Sequence, residues 1–159
     1  MQLLFLVVVV LAFMSQVIVI QSFATHFTSD YCERPMKAGV VVMGKPIKYS
    51  TEKSISIYSQ SLPNIGLVND SVVNYLDKIA VKLEPKSFQM VLEIDGAIFT
   101  KGACGGKRTN TNHAVIDTSN LPSGLTNITL TAAWAKTYSG GVEIAPTIFF
   151  QFLKETPDL

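Results

Sequence analysis

Hydrophobic and polar residues alternate along several short runs of the chain, and a period of two is typical of a half-buried β-strand. Residues 54–58, 79–84 and 128–134 follow this pattern. Residues 39–44 form a β-branched run between two glycines, and the apolar residues 88–94 predict a mostly buried strand. A final apolar run covers residues 142–152. The chain therefore consists mainly of short predicted strands.

Turn signals separate these runs. Asp95-Gly96 lies between the run 88–94 and the short run 97–100, and this dipeptide predicts a hairpin between them. Residues 102–112 form a loop rich in glycine and asparagine, and residues 139–141 mark a turn. Only the short segment 71–78 has helical character. Short strands separated by regular turns predict an all-β fold, an antiparallel sandwich of immunoglobulin type.

The first 24 residues differ from the rest of the chain. They carry no charged side chain, and residues 3–20 are almost continuously apolar. Ser22 and Ala24 place small side chains at the −3 and −1 positions before Thr25, as a signal peptidase requires. The pattern predicts a signal peptide over 1–24, one domain over 25–159 and a secreted, extracellular product. An uncleaved anchor is the alternative, because about 20 apolar residues can span a bilayer.

The charged residues are nearly balanced. All 13 lysines and arginines and all 12 acidic residues lie beyond residue 24, and the net charge is +1. This balance gives no electrostatic reason to expect a nucleic acid or an anionic membrane as partner. After signal cleavage we expect no membrane association.

Two further features agree with export. Asn69-Asp70-Ser71 and Asn127-Ile128-Thr129 fit the N-glycosylation tripeptide, which also arises by chance. Cys32 and Cys104 are the only cysteines, and in an oxidising compartment an even pair favours a disulfide. Closing a loop of that length stabilises a fold by about 4 kcal/mol in the chain-entropy model. Two free buried thiols or a metal-binding pair are the alternatives.

The C-terminal half resembles the Reeler domain, an extracellular β-sandwich. The resemblance lies in Cys104, His113, the strand 128–134 with Ala135, the Gly140-Gly141 turn and the run 142–147. The segment after Cys32 lacks the Pro-x-His step that is typical of the family. The resemblance implies a Cys32–Cys104 bond and no shared catalytic site. The predicted fold is thus an immunoglobulin-like or Reeler-like antiparallel β-sandwich of about seven to nine strands with one disulfide.

Copper chemistry is one alternative function. Lytic polysaccharide monooxygenases and their copper-binding relatives are secreted β-sandwiches that bind copper through an N-terminal histidine and a second histidine. His26 and His113 are the two histidines of this chain, and imidazole suits copper. The arrangement needs cleavage after Thr25, which would place bulky Phe23 at the −3 position. We therefore predict no cofactor and keep this metal site only as an alternative.

No other pattern predicts catalysis. Gly102 to Lys107 resembles a phosphate-binding loop, but the spacing of its glycines is one residue short and Arg108 replaces Ser or Thr. The chain has no Gly-x-Ser-x-Gly elbow, and its acidic residues show no paired arrangement. Trp134 could stack on a sugar, although a lone tryptophan in a sandwich is usually part of the core.

The resulting hypothesis is a secreted, non-catalytic module that binds an extracellular protein or a surface glycan. The loop 102–112 is the candidate binding site because it is polar and basic, with Lys107, Arg108 and Asn110 as its contact residues. A structural subunit that self-assembles through the apolar residues 148–150 is the remaining alternative.

Overall fold

The computed structural model describes residues 32–42, 44–59, 72–74, 79–87, 89–135 and 141–154. These residues contain thirteen strands and no helix, and eight of the strands have three or more residues. The strands are β1 (Val41–Val42), β2 (Lys45–Pro46), β3 (Lys48–Tyr49), β4 (Ser54–Ser59), β5 (Val72–Asn74), β6 (Ile79–Glu84), β7 (Met90–Asp95), β8 (Ile98–Phe99), β9 (Arg108–Thr109), β10 (His113–Asp117), β11 (Gly124–Ala135), β12 (Val142–Ile144) and β13 (Ile148–Lys154).

One sheet has four antiparallel strands in the order β4-β6-β10-β8. Its strands follow the alternation of the sequence: in β4, Ile55 and Ile57 are buried and Ser56 between them is more exposed. The sheet therefore has one apolar face in the core and one face that is more exposed to solvent.

The larger sheet is built around the 12-residue strand β11. On one side, β11 pairs with β7, which pairs in turn with β9. On its other side, β11 pairs first with β13 and then with β12. Residues 145–147 interrupt this second side, although the Ala145 amide still donates a 2.9 Å hydrogen bond to the Ala132 carbonyl. Strands β12 and β13 thus act as one long partner of β11.

Twenty buried hydrophobic residues form the main core, and they come from both sheets. Trp134, Phe152 and Leu92 of the larger sheet are at most 1 % exposed, as are Ile79 and Leu83 of the smaller sheet. The two sheets therefore form a sandwich around a shared apolar interior, and the predicted all-β fold is confirmed.

A second apolar cluster lies on the opposite face of the larger sheet. Strands β7, β11 and β12 contribute Val91, Ala133, Ala135, Val142 and Ile144, which alternate with the residues of the main core. Residues 34–49, here called the cover segment, place Met36, Val42 and Ile47 against this face. The part of the outer face formed by these residues is therefore buried beneath the cover segment.

Two local predictions are wrong, and a third holds only in part. Residues 88–94 and 97–100 form no hairpin, because β7 joins the larger sheet while β8 pairs with β10 in the smaller one. Within the predicted helix at 71–78, Val72–Asn74 form the strand β5, which pairs in parallel with β13, and the rest of the segment lies outside the described residues. Of the predicted strand at 39–44, only Val41 and Val42 form a strand, β1; a turn at Gly44 follows, and β1 pairs in a hairpin with β2, which lies just beyond the predicted run.

The sheets are also not wholly antiparallel. Strand β3 pairs in parallel with β12, and β5 pairs in parallel with β13. Both are strands of two or three residues that add to the larger sheet, where a short segment can join the ladder in either direction. In the described part of the chain no helix is long and apolar enough to cross a membrane.

Candidate functional site

The loop that leads from β8 to β9 has a fixed backbone. Ala103 and Arg108 form an isolated bridge with amide-to-carbonyl distances of 2.7 and 3.2 Å. In the turn between the two bridged residues, positive φ angles occur at Cys104, Gly105 and Gly106. The Gly106 carbonyl accepts a 2.8 Å hydrogen bond from the Phe99 amide, and an added Cβ at Gly106 would lie 2.8 Å from the Cβ of Ile98. The glycine-rich sequence thus forms a tight turn that lies against β8.

A disulfide joins this turn to the beginning of the domain. Cys104 is bonded to Cys32, with a Cα–Cα distance of 5.3 Å and a sequence separation of 72 residues. The predicted disulfide is confirmed, and both alternatives, free thiols and a metal-binding pair, are wrong.

Arg108 lies beneath the loop instead of on its surface. Strand pairing sets Arg108 of β9 opposite Glu93 of β7, and the Arg108 side chain is only 4 % exposed. Its Nε donates a 2.5 Å hydrogen bond to Glu93 Oε2, and its Nη2 forms an ion pair with the same carboxylate oxygen. Nη2 also donates a 2.6 Å hydrogen bond to the Arg34 carbonyl. The expectation that Arg108 is a surface contact residue is wrong, because its guanidinium is buried and bound to Glu93 and to the Arg34 carbonyl.

Lys107 and Asn110 remain on the surface. The Lys107 side chain is 45 % exposed, and its Nζ lies 3.5 Å from the carboxylate of Asp95, which is 87 % exposed. Asn110 is exposed next to the end of β9. A shallow depression of about 430 Å³ borders Lys107 and is lined in addition by the disulfide, Glu33, Glu93, Ile94, Asp95 and Arg108. The loop and its neighbours in β7 therefore present polar groups of both charges beside the disulfide.

The other predicted site residues are dispersed. His113 begins β10, is exposed and lies opposite Lys82. His26 and Asn69 lie outside the described residues. No group of three potential metal-ligating residues occurs in the described part of the chain. Trp134 is 1 % exposed in the main core, which confirms its expected role as a core residue. The copper alternative stays a prediction.

Sequence reasoning missed one surface. On the outer face of β11 and β13, Asn127 is exposed beside the exposed apolar side chains of Leu125 (59 %) and Phe149 (52 %). Gln151 lies opposite Asn127 and donates a 3.0 Å hydrogen bond from Nε2 to Asn127 Oδ1. The i, i+2 spacing of Leu125 and Asn127 indicates a shared face, but only the strand register adds Phe149 to it.

These features define a class of protein, an all-β sandwich with one disulfide that ties a loop to the start of the domain. Comparison of the chain with models of protein families, with curated proteins and with solved structures finds no match. The resemblance to Reeler domains stays a prediction.

Proposed function

We propose that this chain is an exported, non-catalytic β-sandwich that binds an extracellular protein or a surface glycan through its loop 102–112. The observation that carries the proposal is the fixed backbone of this loop, which a disulfide and a short bridge hold while Lys107 and Asn110 stay exposed. A loop positioned by a rigid scaffold is the usual place for a recognition site.

A fixed loop favours binding for an energetic reason. Association orders flexible side chains and backbone at a free-energy cost, and a loop that is already ordered avoids most of that cost. The loop offers a cation at Lys107 and an amide at Asn110, and Asp95 at the end of β7 places a carboxylate 3.5 Å from the Lys107 Nζ. Such groups suit a partner with hydrogen-bonding and charged atoms.

Export is part of the same proposal. The apolar leader with small residues at its cleavage offsets, the two sequons and the resemblance to extracellular Reeler domains all support it. The Cys32–Cys104 bond supports it as well, because stable disulfides form mainly in oxidising compartments.

The test is binding of the secreted protein to arrays of surface glycans and extracellular proteins. Lys107→Ala combined with Asn110→Ala should weaken binding to any captured ligand by about tenfold or more. The matched control is Lys48→Ala, because Lys48 is exposed in β3 at the opposite edge of the same sheet. Equal binding by the double variant and the control, or no ligand on either array, would contradict the proposal.

A further inference from the structure

We infer that Asn127 carries an N-linked glycan whose first N-acetylglucosamine packs on the ring of Phe149. This inference rests on the export step of the proposed function, because the sugar is added only to chains that enter the secretory pathway. It does not depend on the loop 102–112. It assigns the exposed outer face of β11 and β13 to the carbohydrate of the chain itself.

The strand register places the acceptor and the aromatic ring on one face. Asn127 lies opposite Gln151, and Thr129 lies opposite Phe149. Ile128 and Phe150 point into the core, so their exposed neighbours along each strand point outward. Asn127 and Phe149 are therefore diagonal neighbours, which lie about 7–8 Å apart in an antiparallel pair and within reach of aromatic side chains.

The acceptor side chain is held in a suitable orientation. Gln151 donates to the carbonyl oxygen of the Asn127 side chain, at 3.0 Å. This hydrogen bond uses Oδ1 and leaves Nδ2 as the atom to which a sugar is attached. Thr129, the third residue of the tripeptide, is on the same outward face and directly opposite Phe149. A sugar on Nδ2 thus begins next to the ring.

The surroundings of Asn127 offer a sugar both polar atoms and an exposed aromatic ring. A shallow groove of about 450 Å³ is lined by Asn127, Phe149, Gln151 and their strand neighbours. Phe149 is 52 % exposed and Leu125 is 59 % exposed. A pyranose ring presents polarised C–H bonds on one side, and the negative face of an aromatic ring attracts such positive edges. The hydroxyl groups on the other side of the sugar would face water.

Exposed apolar side chains such as Leu125 and Phe149 can otherwise favour association with a partner. Here the acceptor asparagine lies between Leu125 and Thr129 on the outward face of β11, and a branched hydrophilic glycan there would block a second protein chain. The occupant that best fits this face is therefore the attached sugar.

The test uses the full chain with Asn69→Gln, secreted from a eukaryotic host. Peptide mass spectrometry should find the glycan on Asn127. Trimming with an endoglycosidase to a single N-acetylglucosamine should leave the Tm about 2–4 °C above that of the Asn127→Gln variant. In a Phe149→Thr background this difference should fall below about 1 °C.

The matched control is Val41→Thr, which replaces another exposed apolar strand residue, at 59 % exposure, outside the groove. It should keep the full Tm difference. The NMR spectrum of the trimmed protein should show sugar protons shifted upfield by the Phe149 ring, a measurement that needs no variant.

Three results would overturn the inference: an unmodified Asn127 in secreted protein, an equal Tm difference with Phe149→Thr, or sugar protons without a ring-current shift. Retention of the uncleaved chain in the cell would overturn the proposed function as well. Loss of loop binding alone would leave the glycan inference intact.

Discussion

The guanidinium of Arg108 donates a 2.6 Å hydrogen bond to the backbone carbonyl of Arg34, 74 residues earlier in the chain. Through its ion pair with Glu93, the same side chain also binds β7. The disulfide joins Cys32, two residues before Arg34, to Cys104 in the turn that leads into β9. One buried cation thus attaches the start of the cover segment to β7, and one covalent bond attaches the residues just before it to the neighbouring turn.

Arg108→Ala should lower the free energy of unfolding by about 3 kcal/mol, because it leaves the Glu93 carboxylate and the Arg34 carbonyl without this donor in a mostly buried place. Urea unfolding of the purified protein measures the change. Lys107→Ala is the control. Its ion pair with Asp95 is exposed, so the loss should stay below about 1 kcal/mol. Equal losses in the two variants would contradict the structural role of Arg108.

Replacing both Cys32 and Cys104 by serine should lower the free energy of unfolding by about 4 kcal/mol, since the bond closes a loop of 72 residues. The variant should bind more of a hydrophobic dye than the parent protein, because a loosened cover segment exposes Val142 and Ile144. A reducing agent should lower the Tm of the parent protein and leave that of the serine variant unchanged. An unchanged Tm in the reduced parent would refute this prediction.

Gly96→Ala and Gly39→Ala should differ in their effects, although the φ angles, +83° and +85°, are nearly equal. A Cβ at Gly39 meets nothing within 4 Å, whereas a Cβ at Gly96 would overlap the backbone oxygen of Asn127. We expect a loss of about 1 kcal/mol at Gly39 from the left-handed backbone alone and about 3 kcal/mol at Gly96. Chemical denaturation of the two variants gives the comparison, and equal values would show that the close approach to β11 is unimportant.

The pKa of Asp117 is lowered, first by the hydrogen bond from the Ser119 hydroxyl and then by that from the Ser119 amide. A depressed pKa in the folded state stabilises the fold above the ordinary pKa of the group, and this contribution disappears as the pH falls through the folded-state value. Ser119→Ala should therefore raise the pKa of Asp117. It should destabilise the protein near neutral pH and not below about pH 2. Titration by NMR and unfolding at the two pH values test both expectations. A stability difference that persists in acid would argue against this cause.

The alternation of residues was sufficient to predict which segments form the sandwich. Residues 54–58, 79–84 and 128–134 lie in β4, β6 and β11, where one apolar face packs on the core. The alternation does not show which strands pair with each other. Asp95-Gly96 indicates a turn, but the sequence does not indicate that the chain leaves one sheet there and enters the other.

The candidate site was predicted only in part. The sequence indicates the disulfide because the chain has only two cysteines, and it indicates the loop because glycines are a local turn signal. The burial of Arg108 was not evident, since it depends on Glu93 and on Arg34, both distant in sequence. The cover segment was missed for the same reason. Val91, Ala133 and Ile144 are on the outward face of their strands and are buried only because residues 34–49 return to them.

The position of the cover segment has a consequence for biosynthesis. The ribosome produces Met36, Val42 and Ile47 long before Val142 and Ile144, the residues on which they rest. In a nascent chain that has not yet reached β12, the apolar residues of the cover segment therefore lack part of the surface on which they pack. The cover segment can therefore pack fully only after β12 has been made, and we expect a chain that ends before Val142 to leave Met36, Val42 and Ile47 without part of the surface that they cover.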